Sequence, residues 1–198
     1  MVYLPLIINW VVFGFVHSIT ASSICKIQFE KWMGKSFKLY RLAFNFIAIC
    51  NLILVLYYHF QTPNIAVFQS SYYIKFLGFV LMAIGSILLI VVFKSYDMYE
   101  FTGLDVFQSK IKPQKLVQNG LSKKVRHPMY LGLLVLLLGG LIYEPSYRSL
   151  VSFLAVFIYL QIGIFFEERK LVRTFGAPYI EYKKKTPKLF PKIARIKF

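Results

Sequence analysis

Residues 2–25, VYLPLIINWVVFGFVHSITASSIC, contain no aspartate, glutamate, lysine or arginine. A helix needs about 20 consecutive, mostly apolar residues to cross a bilayer, and this stretch supplies them. A cleaved signal peptide is the rival reading. It requires a positively charged leader segment, and Met1-Val2-Tyr3-Leu4-Pro5 has none. Further apolar blocks lie at 42–60, 76–93, 129–143 and 150–166. The last two are short, and only Glu144-Pro145-Ser146-Tyr147-Arg148-Ser149 separates them, so they are expected to form a helical hairpin. The expected fold class is all-α, a polytopic membrane protein of about five transmembrane helices.

Composition agrees with that fold class. Of 198 residues, 58% are hydrophobic and 16% charged, against roughly 25% charged in a soluble globular domain. Mean hydropathy is +0.59. The net charge of +16 arises from 24 Lys+Arg against 8 Asp+Glu. In a soluble chain such an excess would suggest nucleic acid as a partner. Here the cations lie in the gaps between apolar blocks, where they set membrane topology, and no nucleic-acid partner is expected. Five fall in 26–41, seven in 94–127 and ten from 167 onward, which leaves only Lys75 and Arg148. With five spans those three regions share one side. The positive-inside rule then puts the N-terminus outside and the C-terminus in the cytoplasm. Cys25 and Cys50 lie in or beside apolar segments and imply neither a disulfide framework nor a zinc site.

The 94–127 loop is far longer than an ordinary connection. Its Pro113 break and Asn119-Gly120 turn predict short elements packed at the membrane surface. Polar groups gather where this loop meets the last two spans. Val125-Arg126-His127-Pro128-Met129-Tyr130-Leu131-Gly132 opens the fourth span, with Pro128 suited to the first helical position and His127 at the cap. A helix N-terminus there can bind a carboxylate, with Arg126 adding positive charge. The plainer alternative is a basic anchor at headgroup level, and both stay open.

The fifth span ends in Phe165-Phe166-Glu167-Glu168-Arg169-Lys170. Adjacent helical positions point about 100° apart, so one acid of the pair is expected to face the bundle. Pairing with Lys170 a turn later would account for Glu167 and leaves Glu168 unexplained. The helix is expected to continue through Arg173 to Gly176, a suitable C′ residue. Beyond it, Tyr179 and Tyr182 on one face, followed by three lysines ending at Lys185, predict an amphipathic cytoplasmic helix on the bilayer. Its simplest role is membrane adhesion. His17 lies inside the first span, where an ionisable residue signals either a functional site or a neutral histidine bonded to a neighbouring helix. Neither His59 nor His127 makes an axial haem pair with it.

Residues 94–191 resemble the integral-membrane methyltransferases that include isoprenylcysteine carboxyl methyltransferase, phospholipid methyltransferases and bacterial methanethiol S-methyltransferase. The family's Arg-His-Pro-x-Tyr-x-Gly corresponds to residues 126–132, and its Glu-Glu-x-x-Leu-x-x-x-Phe-Gly-x-x-Tyr-x-x-Tyr to residues 167–182. Thr186-Pro187 and Leu189-Phe190-Pro191 also fit. Ile162-Gly163-Ile164-Phe165-Phe166-Glu167-Glu168, with the stretch from Tyr96-Asp97 to Gly103-Leu104, is most similar to the methanethiol branch. The N-terminal third, through His17-Ser18, Ala21, Lys26, Gly34, Tyr40-Arg41-Leu42 and Asn45, resembles the NnrU and nurim type of membrane protein. The chain thus divides into 1–93 and 94–198 within one integrated membrane domain. Two departures bear on the acceptor: Gly120 is followed by Leu121-Ser122 rather than an aromatic, and Lys185 stands where several relatives carry arginine.

The resemblance implies S-adenosylmethionine bound on the cytoplasmic side of a prokaryotic inner membrane. His127, Pro128, Tyr130 and Gly132 would line it, and one of Glu167 and Glu168 would meet its ammonium or ribose. Arg126 and Lys185 would act in catalysis, with Arg173 beside them, by lowering the pKa of a thiol nucleophile. His17, Arg173, Tyr179 and Tyr182 would contact substrate. The implied partners are the lipid bilayer and a small-molecule or lipid acceptor; the sequence specifies no metal and no oligomer. Three readings follow: methylation of a small or lipid-borne thiol, methylation of an isoprenoid carboxylate or phospholipid amine, and a non-catalytic membrane protein.

Overall fold

The structure, a computed structural model, describes residues 1–96, 98–104 and 116–191. Asp97 and Pro113, both singled out above, lie outside the described residues. The helices are α1 (Leu4–Ala21), α2 (Ser23–Met33), α3 (Tyr40–Gln61), α4 (Tyr72–Phe93), α5 (Met98–Thr102), α6 (Pro128–Tyr143), α7 (Tyr147–Phe175) and α8 (Ala177–Lys185). Tight turns at Gly34–Leu39 and Gly120–Lys123 accompany them. Among the described residues α1, α4, α7 and the stretch Ser23–Gln61 that contains α3 are long and apolar enough to cross a membrane. The shorter α6 is the partner of α7 in the expected hairpin. Side chains such as Val11, Phe15 and Phe79 are exposed, as suits helices whose solvent is lipid.

Local chemistry explains the helix ends. The Ser22 hydroxyl accepts from the Cys25 N–H to start α2, and Ser71 and Ser146 cap α4 and α7 in the same way. Pro128 occupies the first turn of α6, where its missing N–H costs nothing. Gly176 ends α7 at φ 60°, a conformation that disfavours residues with a Cβ. The 29 residues of α7 make it about 44 Å long, so its last turns project well past a ~30 Å hydrocarbon layer. That projection carries Glu167 and Glu168.

The five long helices form an arc in the order α4, α6, α7, α1, α3. The tightest pair is α4 with α6, built on glycines seven residues apart in each helix. A Cβ at Gly139 would lie 2.6 Å from the Met82 nitrogen, and one at Gly78 would lie 2.5 Å from that of Tyr143. Gly85 meets Leu136 and Gly132 meets Leu89 in the same interface, a small-residue packing typical of membrane helices. Leu134, Val156, Leu160 and Ile164 form the core between α6 and α7, and Leu189 from the chain after α8 completes it.

Helix direction places the ends of α1, α4 and α7 and the starts of α3 and α6 together, at what we call the basic end. At the opposite end, the 62–71 connection is stitched to the hairpin turn by Val67 N–H donating to the Pro145 carbonyl (2.7 Å) and Tyr147 N–H to that of Ile65 (3.0 Å). The tail helix α8 forms as the sequence predicts, but Tyr179 and Tyr182 face protein rather than bilayer, only 1% and 8% exposed. The Tyr182 hydroxyl donates to the Ser122 carbonyl, which pins α8 to the loop ahead of α6.

Candidate active site

After α8 the chain folds back beside the start of α6. The N–H groups of Arg126 and His127 donate to the carbonyls of Pro187 (2.9 Å) and Lys188 (3.2 Å). Arg126 is thereby drawn inward. Its guanidinium meets Glu168 Oε1 through Nε at 2.8 Å and Nη2 at 2.7 Å, and Nη1 donates to the carbonyls of Lys183 and Thr186. Lys183 Nζ approaches Glu168 Oε2 at 2.7 Å. Both oxygens of Glu168 are engaged, and Glu168 is buried. The cluster ties three segments together: the start of α6, the projecting end of α7, and α8 with its exit. Removing one partner from a buried ion pair typically costs about 3–5 kcal/mol, because the other charge is left unmatched.

One residue earlier on α7, Glu167 has a different setting. Its Oε2 accepts from the Tyr130 hydroxyl at 2.9 Å and faces His127 Nδ1 at 3.5 Å. The carboxylate remains 42% exposed, and no contact among the described residues engages its Oε1. The His127 and Tyr130 rings stack with centroids 5.5 Å apart and planes within 5°. His127 Nε2 lies 3.2 Å from Glu168 Oε1, so the imidazole sits between the two acids. The helical pairing of Glu167 with Lys170 does not form among the described residues. Glu168, which that pairing left unexplained, is the acid held by cations.

The remaining site candidates disperse. Arg126, expected above beside a thiol, has its guanidinium engaged by Glu168 and the carbonyls of Lys183 and Thr186. Lys185 is exposed and pairs with Glu181 one turn back, beside a shallow surface pocket of about 410 Å³ that Lys123 and Thr186 also line. Arg173 is exposed on α7. Gly132 faces Leu89 of α4, so its lack of a side chain serves helix packing. Tyr179 is buried with its hydroxyl unpartnered among the described residues. Burial, reinforced by the nearby Glu168 and Glu167 charges, pushes its phenol up to about 12. Tyr182 holds α8 in place through the Ser122 carbonyl and also lines that surface pocket.

His17 lies elsewhere, in the wall of a cavity of about 750 Å³ between α1 and α3 on one side and α6 and α7 on the other. Its Nδ1 is buried without a partner among the described residues, and its ring packs between Phe13 and Phe44. Tyr130 lines the same cavity at the basic end, so the Glu167 cluster and the cavity share that ring. Toward the opposite end, Ser152 Oγ accepts from Trp10 Nε1 at 3.0 Å and lies 2.9 Å from His59 Nδ1. This trio was not singled out by the sequence reading. The one available signal was a serine and a histidine inside otherwise apolar spans.

Methanethiol S-methyltransferase 2 of Bradyrhizobium diazoefficiens is 26% identical over 189 residues, covering 91% of this chain and 70% of the relative. Methanethiol S-methyltransferase 1 of the same organism is 25% identical over 188 residues, 90% of this chain and 63% of the relative. Methanethiol S-methyltransferase of Pseudomonas deceptionensis is 34% identical over 102 residues, 49% of this chain and 38% of the relative. The chain therefore spans only part of each relative's length. No solved structure matches it. The model of the NnrU protein family matches residues 5–195, through both parts of the molecule rather than the N-terminal third alone. This integral membrane protein, helical in its described residues, belongs to the NnrU protein family.

Proposed function

We propose that this protein is an S-adenosylmethionine-dependent methyltransferase acting on a thiol, with its site on the cytoplasmic face of a prokaryotic inner membrane. The observation that carries the reading is the Glu167–Tyr130–His127 cluster, a half-exposed carboxylate held in place at a helix N-terminus. The names of the similar proteins support methyl transfer to a thiol, and the positive-inside rule supports the face.

The residues present fit such a donor. Glu167 Oε1, unpartnered among the described residues, would accept from an ammonium, while the Tyr130 hydroxyl fixes Oε2. The Tyr130 ring, backed by the stacked and buried His127, offers aromatic surface to a cation, and the first turn of α6 suits a carboxylate. The chemistry the donor would supply when bound is a methyl group on a sulfonium; a thiolate, its proton already given to water, would form the new S–C bond as the sulfonium's S–CH3 bond breaks and the neutral thioether leaves. The protein's task is alignment, which can contribute about 7–11 kcal/mol of barrier lowering. Arg126 serves here as a positioning residue, through Glu168 and the backbone of the α8 exit.

The test is transfer of labelled methyl from S-adenosylmethionine to a thiol by protein in phosphatidylcholine nanodiscs. Product from a thiol, lost in His127→Ala with folding intact, is the expected result. Failure of every thiol offered, with labelled phospholipid or prenylcysteine ester appearing instead, would overturn the thiol assignment. No product from any acceptor would overturn the enzyme.

A further inference from the structure

The intramembrane cavity is too large for the site chemistry described so far. Along α7 it runs from Gly163 to Ser152, eleven residues and therefore about 16 Å of helix. A thiol of one carbon would occupy a small fraction of it. The side facing α3 is open: Leu52, Leu56 and Phe60 line the cavity yet are 39%, 45% and 70% exposed. In a bilayer those positions meet lipid chains, so an apolar molecule reaches the cavity sideways, from the membrane.

The far end is polar, and its hydrogen bonds do not close on themselves. Trp10 donates to Ser152 Oγ. If the Ser152 hydroxyl donates to His59 Nδ1, the imidazole's Nε2 carries the proton and remains a donor. If His59 Nδ1 instead donates to Ser152 Oγ, the serine hydroxyl remains a donor. In either tautomer one N–H or O–H finds no partner among the described residues, and leaving it unmet in a largely apolar cavity costs free energy. A carbonyl or hydroxyl oxygen is the group that meets it.

We infer that the cavity between α3 and α6–α7 binds an elongated amphipathic lipid, its apolar body along α7 and an oxygen acceptor at its far end held by the His59–Ser152–Trp10 trio. Resting on the proposed function, the inference makes the methyl acceptor a long-chain thiol whose sulfur lies at the Tyr130 end.

Trp10 is a built-in reporter, because the other tryptophan is Trp32 and a Trp32→Phe variant leaves Trp10 as the chain's sole tryptophan, excited selectively at the red edge of the absorption band. In phosphatidylcholine nanodiscs, bromoundecanol should quench Trp10 saturably, and bromoundecane, which lacks the oxygen, should bind roughly tenfold more weakly. The double variant Ser152→Ala/His59→Leu, confirmed folded by thermal melting, removes two of the three polar groups and should markedly weaken that preference while leaving the bromoundecane curve unchanged. Quenching that rises linearly, as free partitioning into the bilayer would, overturns the inference. So does equal binding of the two probes, or a preference undiminished in the double variant. Methyl-transfer assays with mercaptoundecanol and methanethiol separate this failure from that of the proposed function. Saturable binding with no methylation of either thiol sinks the function and spares the site. Methylation of methanethiol without saturable lipid binding spares the function and sinks the inference.

Discussion

Glu167 and Glu168 are neighbours on α7, alike in chemistry, and the fold uses them in opposite ways. Glu168 points into protein, where Arg126, Lys183 and His127 surround it. Glu167 points about one helical step away and leans on a tyrosine hydroxyl, and its other oxygen has no partner among the described residues. A carboxylate held through both oxygens serves the packing around it. One held through a single oxygen is the acid that the proposed function gives to a ligand. Treating the doubled acid as a single motif would hide this division.

The comparison breaks most visibly at Arg126. Arg126→Ala leaves Glu168 buried with Lys183 as its remaining cation, and stability should fall by about 3–5 kcal/mol, read as a drop in Tm in nanodiscs. A melting curve unchanged by this substitution would mean that the pair holds nothing. Gly139→Leu tests the scaffold behind the site by forcing α6 away from Met82 of α4. Overpacking typically costs about 1–3 kcal/mol, and the backbone contact at 2.6 Å places this case at the upper end. Tyr130→Phe loosens Glu167 and removes one hydrogen bond to a charged group, worth about 1.5–3 kcal/mol before solvent screening of the half-exposed acid lowers it. Binding of S-adenosylmethionine should weaken more than Tm falls, as titration calorimetry beside melting would reveal.

The smallest effect lies on α8. Tyr179 has its phenol raised to about 12 from an ordinary 10, because burial disfavours the phenolate. A pKa raised on folding contributes stability that is whole below the unfolded value and is lost as pH rises through the folded one. Stability should therefore decline between pH about 10 and about 12, and Tyr179→Phe should flatten that decline with little change at neutral pH. Equal alkaline decline in both proteins would contradict the assignment.

Much of the fold was legible because membrane spans are written locally. Apolar length, the Pro128 start, the Gly176 stop and the 144–149 link each act within a few residues, and the helices begin and end close to where those signals lie. The site was legible only as a list. Residues 126–132 and 167–182 name side chains that the structure brings together, but which acid is held by cations depends on α8 folding back. The contacts that settle it, from Arg126 to the carbonyls of Lys183 and Thr186, span about sixty residues of sequence. The cavity trio draws on α1, α3 and α7, with Ser152 separated by 142 residues from Trp10 and 93 from His59. No local pattern encodes such a meeting. The seven-residue spacing of Gly78 with Gly85 and of Gly132 with Gly139 was readable, and would have assigned Gly132 to helix packing before any site role.

The division between the two acids is tested most directly by titrating S-adenosylmethionine calorimetrically into wild-type, Glu167→Gln and Glu168→Gln proteins, with Tm measured on the same nanodisc samples. The account expects Glu167→Gln to melt like wild type and bind at least tenfold more weakly, and Glu168→Gln to lose Tm. Wild-type affinity in Glu167→Gln, or a Glu168→Gln protein that melts normally but fails to bind, would contradict it.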